Sequence, residues 1–313
     1  MALSPNSSTQ VTEFLMLCLP GMQDVQHWLS VPLTPLLVLA LGANMVLLLT
    51  IHQEASLHKP MYYLLVILSL LDIILCLTVV PKVLLIFWFN MKPISFTGCF
   101  LQMFMMNTFL PMESSTLVVM AYDRYVAICQ PLHYPSIITE QFVVKAAIFI
   151  ILRNLLVTLP TPILAAQQDY CAGNVIENCI CANISVVLLS CGDIHLNKLY
   201  QFVSVWCLMG SDLVLTLFSY CFILKAVLKL QSVAVATKAL STCGSHFILI
   251  FFFYTLLVVL VIANVARKQI PLDVPIFLNV LHHLIPPAIN PIVYGVRTQE
   301  IKHGILKLLK VKK

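Results

Sequence analysis

The sequence predicts an all-α membrane protein: a seven-transmembrane helix bundle with a short amphipathic cytoplasmic helix after the seventh span. Three observations carry that prediction. The 313 residues are 60% apolar and 10% charged, against about 45–50% and about 25% in an ordinary soluble domain. The apolar residues fall into seven runs, each near the ~20 residues that cross a bilayer as a helix. The basic residues divide unequally between the loops on the two sides, which sets orientation. Thirty-one charged residues cannot cover the apolar surface of a soluble fold. Most soluble enzymes and all disordered, collagen-like or nucleic-acid-binding classes are therefore excluded.

In chain order, residues 1–27 are expected as an extracellular tail, 28–296 as the bundle and 297–313 as a cytoplasmic amphipathic helix and tail. The seven runs cover residues 28–51, 61–87, 100–129, 142–165, 199–228, 242–265 and 274–296. Lipid offers no water to a backbone amide, so each span must satisfy its own hydrogen bonds, as helices do; the runs are too long for barrel strands. One side holds Lys59, Arg124, Lys145, Lys225, Lys229 and Lys238, and the C-terminal tail adds Arg297, Lys302, Lys307, Lys310, Lys312 and Lys313. The other side holds Lys92, Lys198, Arg267 and Lys268. Twelve against four place the tail in the cytoplasm and, seven crossings earlier, the N-terminus outside. The net charge of +5 is thus a topology signal and implies no nucleic acid. No secretory leader is visible, since residues 1–27 hold only one short apolar stretch at 14–19; the first span is expected to serve as its own insertion signal. Pro286-Pro287 and Asn290-Pro291 must kink the seventh span, because each proline removes a helix hydrogen bond. Asn290 and Tyr294 are placed to re-satisfy the freed carbonyls or to move in a switch. After the bundle, Ile301, Ile305, Leu308 and Leu309 alternate with lysines, the pattern of a helix lying on the inner leaflet.

Eleven cysteines are present. Cys171, Cys179, Cys181 and Cys191 share the second outer loop and Cys99 caps the third span, in an oxidising compartment where they can pair; connectivity does not follow from sequence. Cys18, Cys76, Cys129, Cys207, Cys221 and Cys243 read as packing residues or free thiols. Asn6-Ser7-Ser8 is a glycosylation acceptor in the outer tail; Asn183-Ile184-Ser185 also matches, but among the clustered cysteines.

Polar groups at membrane depth are expensive and are functional candidates by default. Asp72, Glu113, Asp123, Arg124, Arg153 and Asp212 qualify, with the amides Asn44, Asn107 and Asn290. Glu113 precedes Arg124 by eleven residues, which puts both near one helix face about 16 Å apart. Asp72 lies about 19 Å into its span from Lys59, at similar depth. Two carboxylates at one level imply a shared proton or a bound cation such as sodium, or two neutral acids that only hold helices together. Asp123-Arg124 is either a local ion pair or an interface anchor. Lys82, Arg153 and Asp212 receive no physical account from sequence.

The ordered set of motifs resembles one family. Pro60-Met61-Tyr62-Tyr63 opens the second span and Met120-Ala121-Tyr122-Asp123-Arg124-Tyr125-Val126-Ala127-Ile128-Cys129 closes the third. Ser219-Tyr220 lies in the fifth. Lys238-Ala239-Leu240-Ser241-Thr242-Cys243 and Ser245-His246 open the sixth, and Pro286-Pro287-Ala288-Ile289-Asn290-Pro291-Ile292-Val293-Tyr294-Gly295 closes the seventh. Together they resemble the odorant receptors of the rhodopsin-like G-protein-coupled receptor superfamily. The outer loop and the Arg153…Pro160-Thr161-Pro162 pattern resemble its class I, fish-like branch. The resemblance implies that Cys99 pairs with Cys181 and Cys171 with Cys191, leaving Cys179 as the odd thiol. It implies a G-protein switch at Asp123, Arg124 and Tyr125, with Tyr220 and Tyr294 as active-state partners of Arg124. It implies an ion site of Asn44, Asp72, Glu113 and Asn290, no other cofactor, and an olfactory stimulatory G protein that raises cAMP.

The ligand cavity is expected in the outer half of the bundle. Its candidates are Gln102, Met103, Met106, Asn107 and Leu110 on the third span, Ser204 and Leu208 on the fifth, Tyr254, Leu257, Val258 and Val261 on the sixth, and Asn279, Val280 and His283 on the seventh. This lining suits a small, mostly apolar volatile molecule with one polar handle. The seventh span holds no lysine, which excludes a retinal Schiff base, and neutral Met106 argues against a biogenic amine. Arg267 and Lys268 either attract an acidic ligand or are solvated loop charges. The alternatives are a non-odorant receptor of the same superfamily for a small lipid or acid metabolite, and a transporter, against which no internal repeat is seen. No catalytic set is evident.

Overall fold

The computed structural model describes residues 11–171, 173–229, 233–266 and 269–308. Asn6, Arg267, Lys268, Lys310, Lys312 and Lys313 lie outside the described residues. The long helices are α1 (Gln26–Gln53), α2 (Pro60–Phe89), α3 (Phe96–Cys129), α4 (Glu140–Ala166), α5 (His195–Leu228), α6 (Val233–Val265) and α7 (Asp273–Arg297), followed by a short α8 (Gln299–Leu308). Six of the seven are long and apolar enough by composition to cross a membrane. The other, α3, spans 34 residues and carries Glu113, Asp123 and Arg124 inside the bundle. It packs against α2, α4, α5 and α6, so its polar residues face partners while its neighbours face outward.

Residues 11–25 are more than a tail. Strand β1 (Glu13–Met16) pairs antiparallel with β2 (Pro93–Ser95) and parallel with β3 (Val175–Ile176), in the order β2-β1-β3. Alternation puts Phe14 and Met16 on one face of β1, both fully buried. Phe14 stacks on Phe96 (centroids 5.8 Å apart) and meets Tyr170 edge-on (5.4 Å). The sheet therefore roofs one end of the bundle, and its pairing carries Cys18 to Cys179, with which it is disulfide-bonded. Cys179 is thus not an odd thiol, and Cys18 is not a packing thiol. The structure also joins Cys99 to Cys181 and Cys171 to Cys191. Asn183 is buried and donates to Asn197 (2.7 Å), which leaves no room for a glycan there.

The kink in α7 differs from the expectation in which groups repair it. The helix breaks between His282 and Ile285. Pro291 cannot donate to the Pro287 carbonyl, and Asn44 of α1 donates to it instead (2.9 Å). Pro287 likewise leaves the His283 carbonyl to Cys76 Sγ (3.8 Å). Asn290 and Tyr294 are released for other contacts. At the end opposite the sheet, α8 buries Ile301 and Gly304 against α1, and Lys307 pairs with Glu54 (2.8 Å). A Cβ on Gly304 would lie 2.7 Å from Thr50 Cγ2, so only glycine permits this close docking. Part of the face expected to lie on lipid is thus used against the bundle.

Candidate functional site

Three polar clusters lie along α3. In the first, the buried carboxylates of Asp72 on α2 and Glu113 on α3 meet at one amide. Asn290 Nδ2 lies 3.1 Å from each Asp72 oxygen and 3.3 Å from Glu113 Oε1. One NH2 group has two protons for these oxygens, so the pair is under-supplied with donors. Asn44 stands apart from this contact, turned to the Ala40 and Pro287 carbonyls.

In the second cluster, at the α8 end of the bundle, Arg124 Nη2 is ion-paired with Asp123 Oδ2 at 2.9 Å. Tyr134, in the loop after α3, donates to Asp123 Oδ1 (2.8 Å). Burial, then the Asp123 carboxylate, holds the Tyr134 hydroxyl above its ordinary pKa, so it remains a donor at physiological pH. Tyr294 meets His246 Nε2 (3.2 Å), and the Tyr220 hydroxyl is buried without a partner. Neither tyrosine is hydrogen-bonded to Arg124, and Tyr125 packs beside Phe222 (centroids 6.0 Å apart). Arg124 is therefore held by its own helix.

The third cluster explains residues that sequence left without an account. Arg153 Nη1 on α4 meets Asp212 Oδ1 on α5 at 2.7 Å. Ser115 of α3 accepts from Arg153 Nη1 (3.0 Å) and donates to Asp212 Oδ2 (2.9 Å). Just before Asp212, α5 widens into a π-helical turn at Trp206–Gly210, and such a turn loosens backbone carbonyls from their helical partners. Arg153 Nη2 takes up the carbonyls of Cys207 and Leu208, each at 3.1 Å. A Cβ on Gly210 would sit 2.9 Å from the Trp206 ring, so the isolated glycine was the one sequence signal of the turn. Lys82 has a separate role: its ammonium donates to the Met91 and Pro93 carbonyls (2.8 and 2.6 Å), snorkelling to fasten the loop after α2.

Between the third cluster and the sheet lies a cavity of about 200 Å³. It is lined from the expected set by Met106, Asn107, Leu110, Ser204, Leu208, Asn279 and His283. It also takes in Pro111, Thr158, Thr161, Gln201, Val205, Met209 and, from the loop beyond α4, Ile180, Ala182, Asn183 and Ile184. The remaining candidates lie elsewhere. Gln102 donates to the Thr78 carbonyl and accepts from the Cys181 amide, both at 2.9 Å, which places it in the scaffold. Met103 and Val280 are fully buried in the core. Tyr254 bonds Ser114 (2.9 Å), with Leu257 packed nearby. Val258 and Val261 are about half exposed on the outside of α6, and the cavity lies toward α4 and α5. Gln201, one helical turn before Ser204, was the member of this wall that spacing could have found.

The fold matches that of squid rhodopsin, with a TM-score of 0.74 over 92% of this chain and 83% of that one at 15% identity. Seven long helices, four of which line a partly open cavity, with an Asp-Arg pair at the far end of the central helix, make up a rhodopsin-like fold. The model of the olfactory receptor family matches residues 33–312. Human olfactory receptors 56A4 and 56A1 are each 66% identical to this chain, over 99% of it and 99% and 98% of their own lengths. Mouse olfactory receptor 56B34 is 49% identical over 97% of this chain and 94% of its own. The chain belongs to the olfactory receptor family. It is accordingly a multi-pass plasma-membrane receptor with a small-molecule ligand and a G-protein partner, and it is not an enzyme.

Proposed function

We propose that this receptor binds a small, mostly apolar odorant in the cavity between α3, α4, α5 and α7 and activates a stimulatory G protein, raising cAMP. The observation that supports this reading most is the cavity itself: a partly open, mainly apolar and uncharged space whose wall, α3, runs on to Arg124. The sheet and disulfides belong outside the cell with the N-terminus, and α8 with the C-terminus inside, in keeping with the basic-residue bias. The class I branch is the subfamily reading that the sequence pattern favours. Activation releases Arg124 from Asp123 toward Tyr220 and Tyr294, opening the cytoplasmic end for the G protein. Cells expressing the receptor with a stimulatory G protein should raise cAMP when given a matching odorant, and cells with an inhibitory G protein alone should not; the reverse pattern would refute the transducer assignment.

The Asp72–Glu113 pair is proposed as a site for a proton or a sodium ion. Two buried carboxylates served by one amide lack the donors that ordinary burial demands, and a bound cation supplies the charge. Glu113→Gln keeps the shape, removes one charge and adds an N–H. The concentration–response curve of the variant should lose its dependence on external sodium or pH. Retention of the wild-type dependence would mean that the two acids serve only to hold helices together.

A further inference from the structure

The segment that leads into α1 carries an inference about how the cavity is closed, resting on the reading of that cavity as the odorant site. No residue of 11–25 lines the cavity, yet this segment is fastened to two of its walls. The first fastening is to the loop wall. Leu15 and Leu17 donate their amides to the Asn174 and Ile176 carbonyls (2.8 Å each), and Cys18 is bonded to Cys179. The next residue, Ile180, lines the cavity, and after it Cys181 is bonded to Cys99 of α3. Ile180 is thus held on both sides by disulfides, one to the bundle and one to the segment before α1. The second fastening is to α7. The Gly21 amide donates to Asp273 Oδ1 (3.1 Å) at the first residue of that helix. Asn279 and His283, further along α7, line the cavity. Between the two fastenings lies Leu19, fully buried in one apolar cluster with Ile180 and with Ile276 and Val280 of α7. Its φ of +51° is a left-handed value that a bulky residue rarely adopts. Such a conformation persists only where the surroundings over-determine it; here the disulfide precedes it and the Asp273 contact follows. Cys18 and Cys179 are 1% and 0% exposed, shielded from a dissolved reductant, so their bond is a standing tether.

We propose that Cys18, Cys179 and Asp273 are positioning residues of the ligand cavity: residues 13–21 form a strap that ties the loop wall to α7 and sets how readily a molecule from outside reaches the cavity. A molecule can enter only when the walls part locally, and the contacts that join the moving pieces govern such opening. Cutting the strap leaves Ile180 with a disulfide on one side only and frees the outer end of α7 from the loop. Entry becomes faster while the seven helices keep their packing.

The test measures how fast a membrane-impermeant trimethylammonium methanethiosulfonate reaches a thiol placed in the cavity lining by Ser204→Cys. It uses the full chain on intact cells, with the chain lacking that thiol as the blank and surface receptor measured in parallel. Adding Cys18→Ser/Cys179→Ser should accelerate the reaction at least ~10-fold, since a covalent tether is removed. Asp273→Ala should accelerate it roughly 3-fold, as one exposed hydrogen bond is lost, and Asp273→Asn, which keeps an acceptor for the Gly21 amide, should stay near the parent rate. An unchanged rate in the cysteine double variant at the surface would overturn the strap. Should that variant fail to reach the surface, the Asp273 variants decide: a faster alanine variant upholds the strap, and equal rates overturn it. Equal acceleration at Thr216→Cys, a buried position on α5 outside the cavity lining, would mean that the whole bundle has loosened and would overturn it too. No odorant enters the measurement, so failure of the strap leaves the odorant reading standing, and failure of the odorant reading in the cAMP assay leaves the labelling rates unchanged.

Discussion

Arg153→Met should destabilise the receptor by ~3–5 kcal/mol and remove most of it from the cell surface. The substitution leaves the Asp212 carboxylate, only 2% exposed, without its counter-charge. It also removes one of the two donors that the Cys207 and Leu208 carbonyls have at the π-helical turn, leaving the Ser211 hydroxyl to serve both. The loss arises mainly from the uncompensated charge, so Arg153→Met combined with Asp212→Leu should recover much of the surface expression. A paired substitution of this kind is often close to neutral, because it removes the desolvation cost of both ions together. Antibody labelling of intact cells, with melting of the solubilised receptor, reads both variants. Full surface expression of the single variant would contradict the role assigned to the pair, as would a double variant worse than the single. Where the double variant reaches the surface, odorant potency should still shift, because Leu208 and Met209 of the same turn line the cavity.

Cys181→Ser should be the second severe change, costing ~2–5 kcal/mol. The Cys99–Cys181 bond closes a sequence separation of 82 residues and clamps the loop to the top of α3. The Cys181 amide is held there a second time by Gln102 (2.9 Å). Its neighbours Ile180 and Ala182 line the cavity, so release of the loop opens one wall as well as loosening the bundle. The double variant Cys99→Ser/Cys181→Ser should be no worse than either single, since the two sulfurs form one bond. Surface labelling of the three variants decides it: normal delivery of Cys181→Ser, or strict additivity of the two single effects, would sink the clamp.

The bundle was legible in sequence because bilayer thickness imposes a length on every apolar run and because lysine and arginine mark one side. The carboxylate pair was legible for a related reason: Asp72 and Glu113 are too costly at that depth to be incidental, and helical rise alone brings them level. Sequence could not show what depends on two elements meeting. Nothing in Phe14–Cys18 announces a strand that pairs with two distant loops, and without that pairing Cys18 has no route to Cys179. The family resemblance implied Asn44 as a member of the ion cluster, yet its amide serves a carbonyl freed by a proline 247 positions away on α7. The cavity takes in Met106, Asn107 and Leu110 of the expected set on α3, both expected residues on α5 and two of three on α7, but spacing gave no warning of the widened turn in α5. Val205, Leu208 and Met209 at that turn line the cavity together with Thr158 and Thr161 of α4, and Val258 and Val261 lie on the outer surface of α6.

The central claim is that a molecule bound in the cavity is sensed at Arg124, at the far end of the same helix. One measurement tests it most directly: odorant-evoked cAMP in cells expressing wild-type receptor and Arg124→Ala at matched surface levels. The account predicts a concentration-dependent rise for the wild type and none for the variant, with labelling of both at the surface. A normal rise in Arg124→Ala would contradict it.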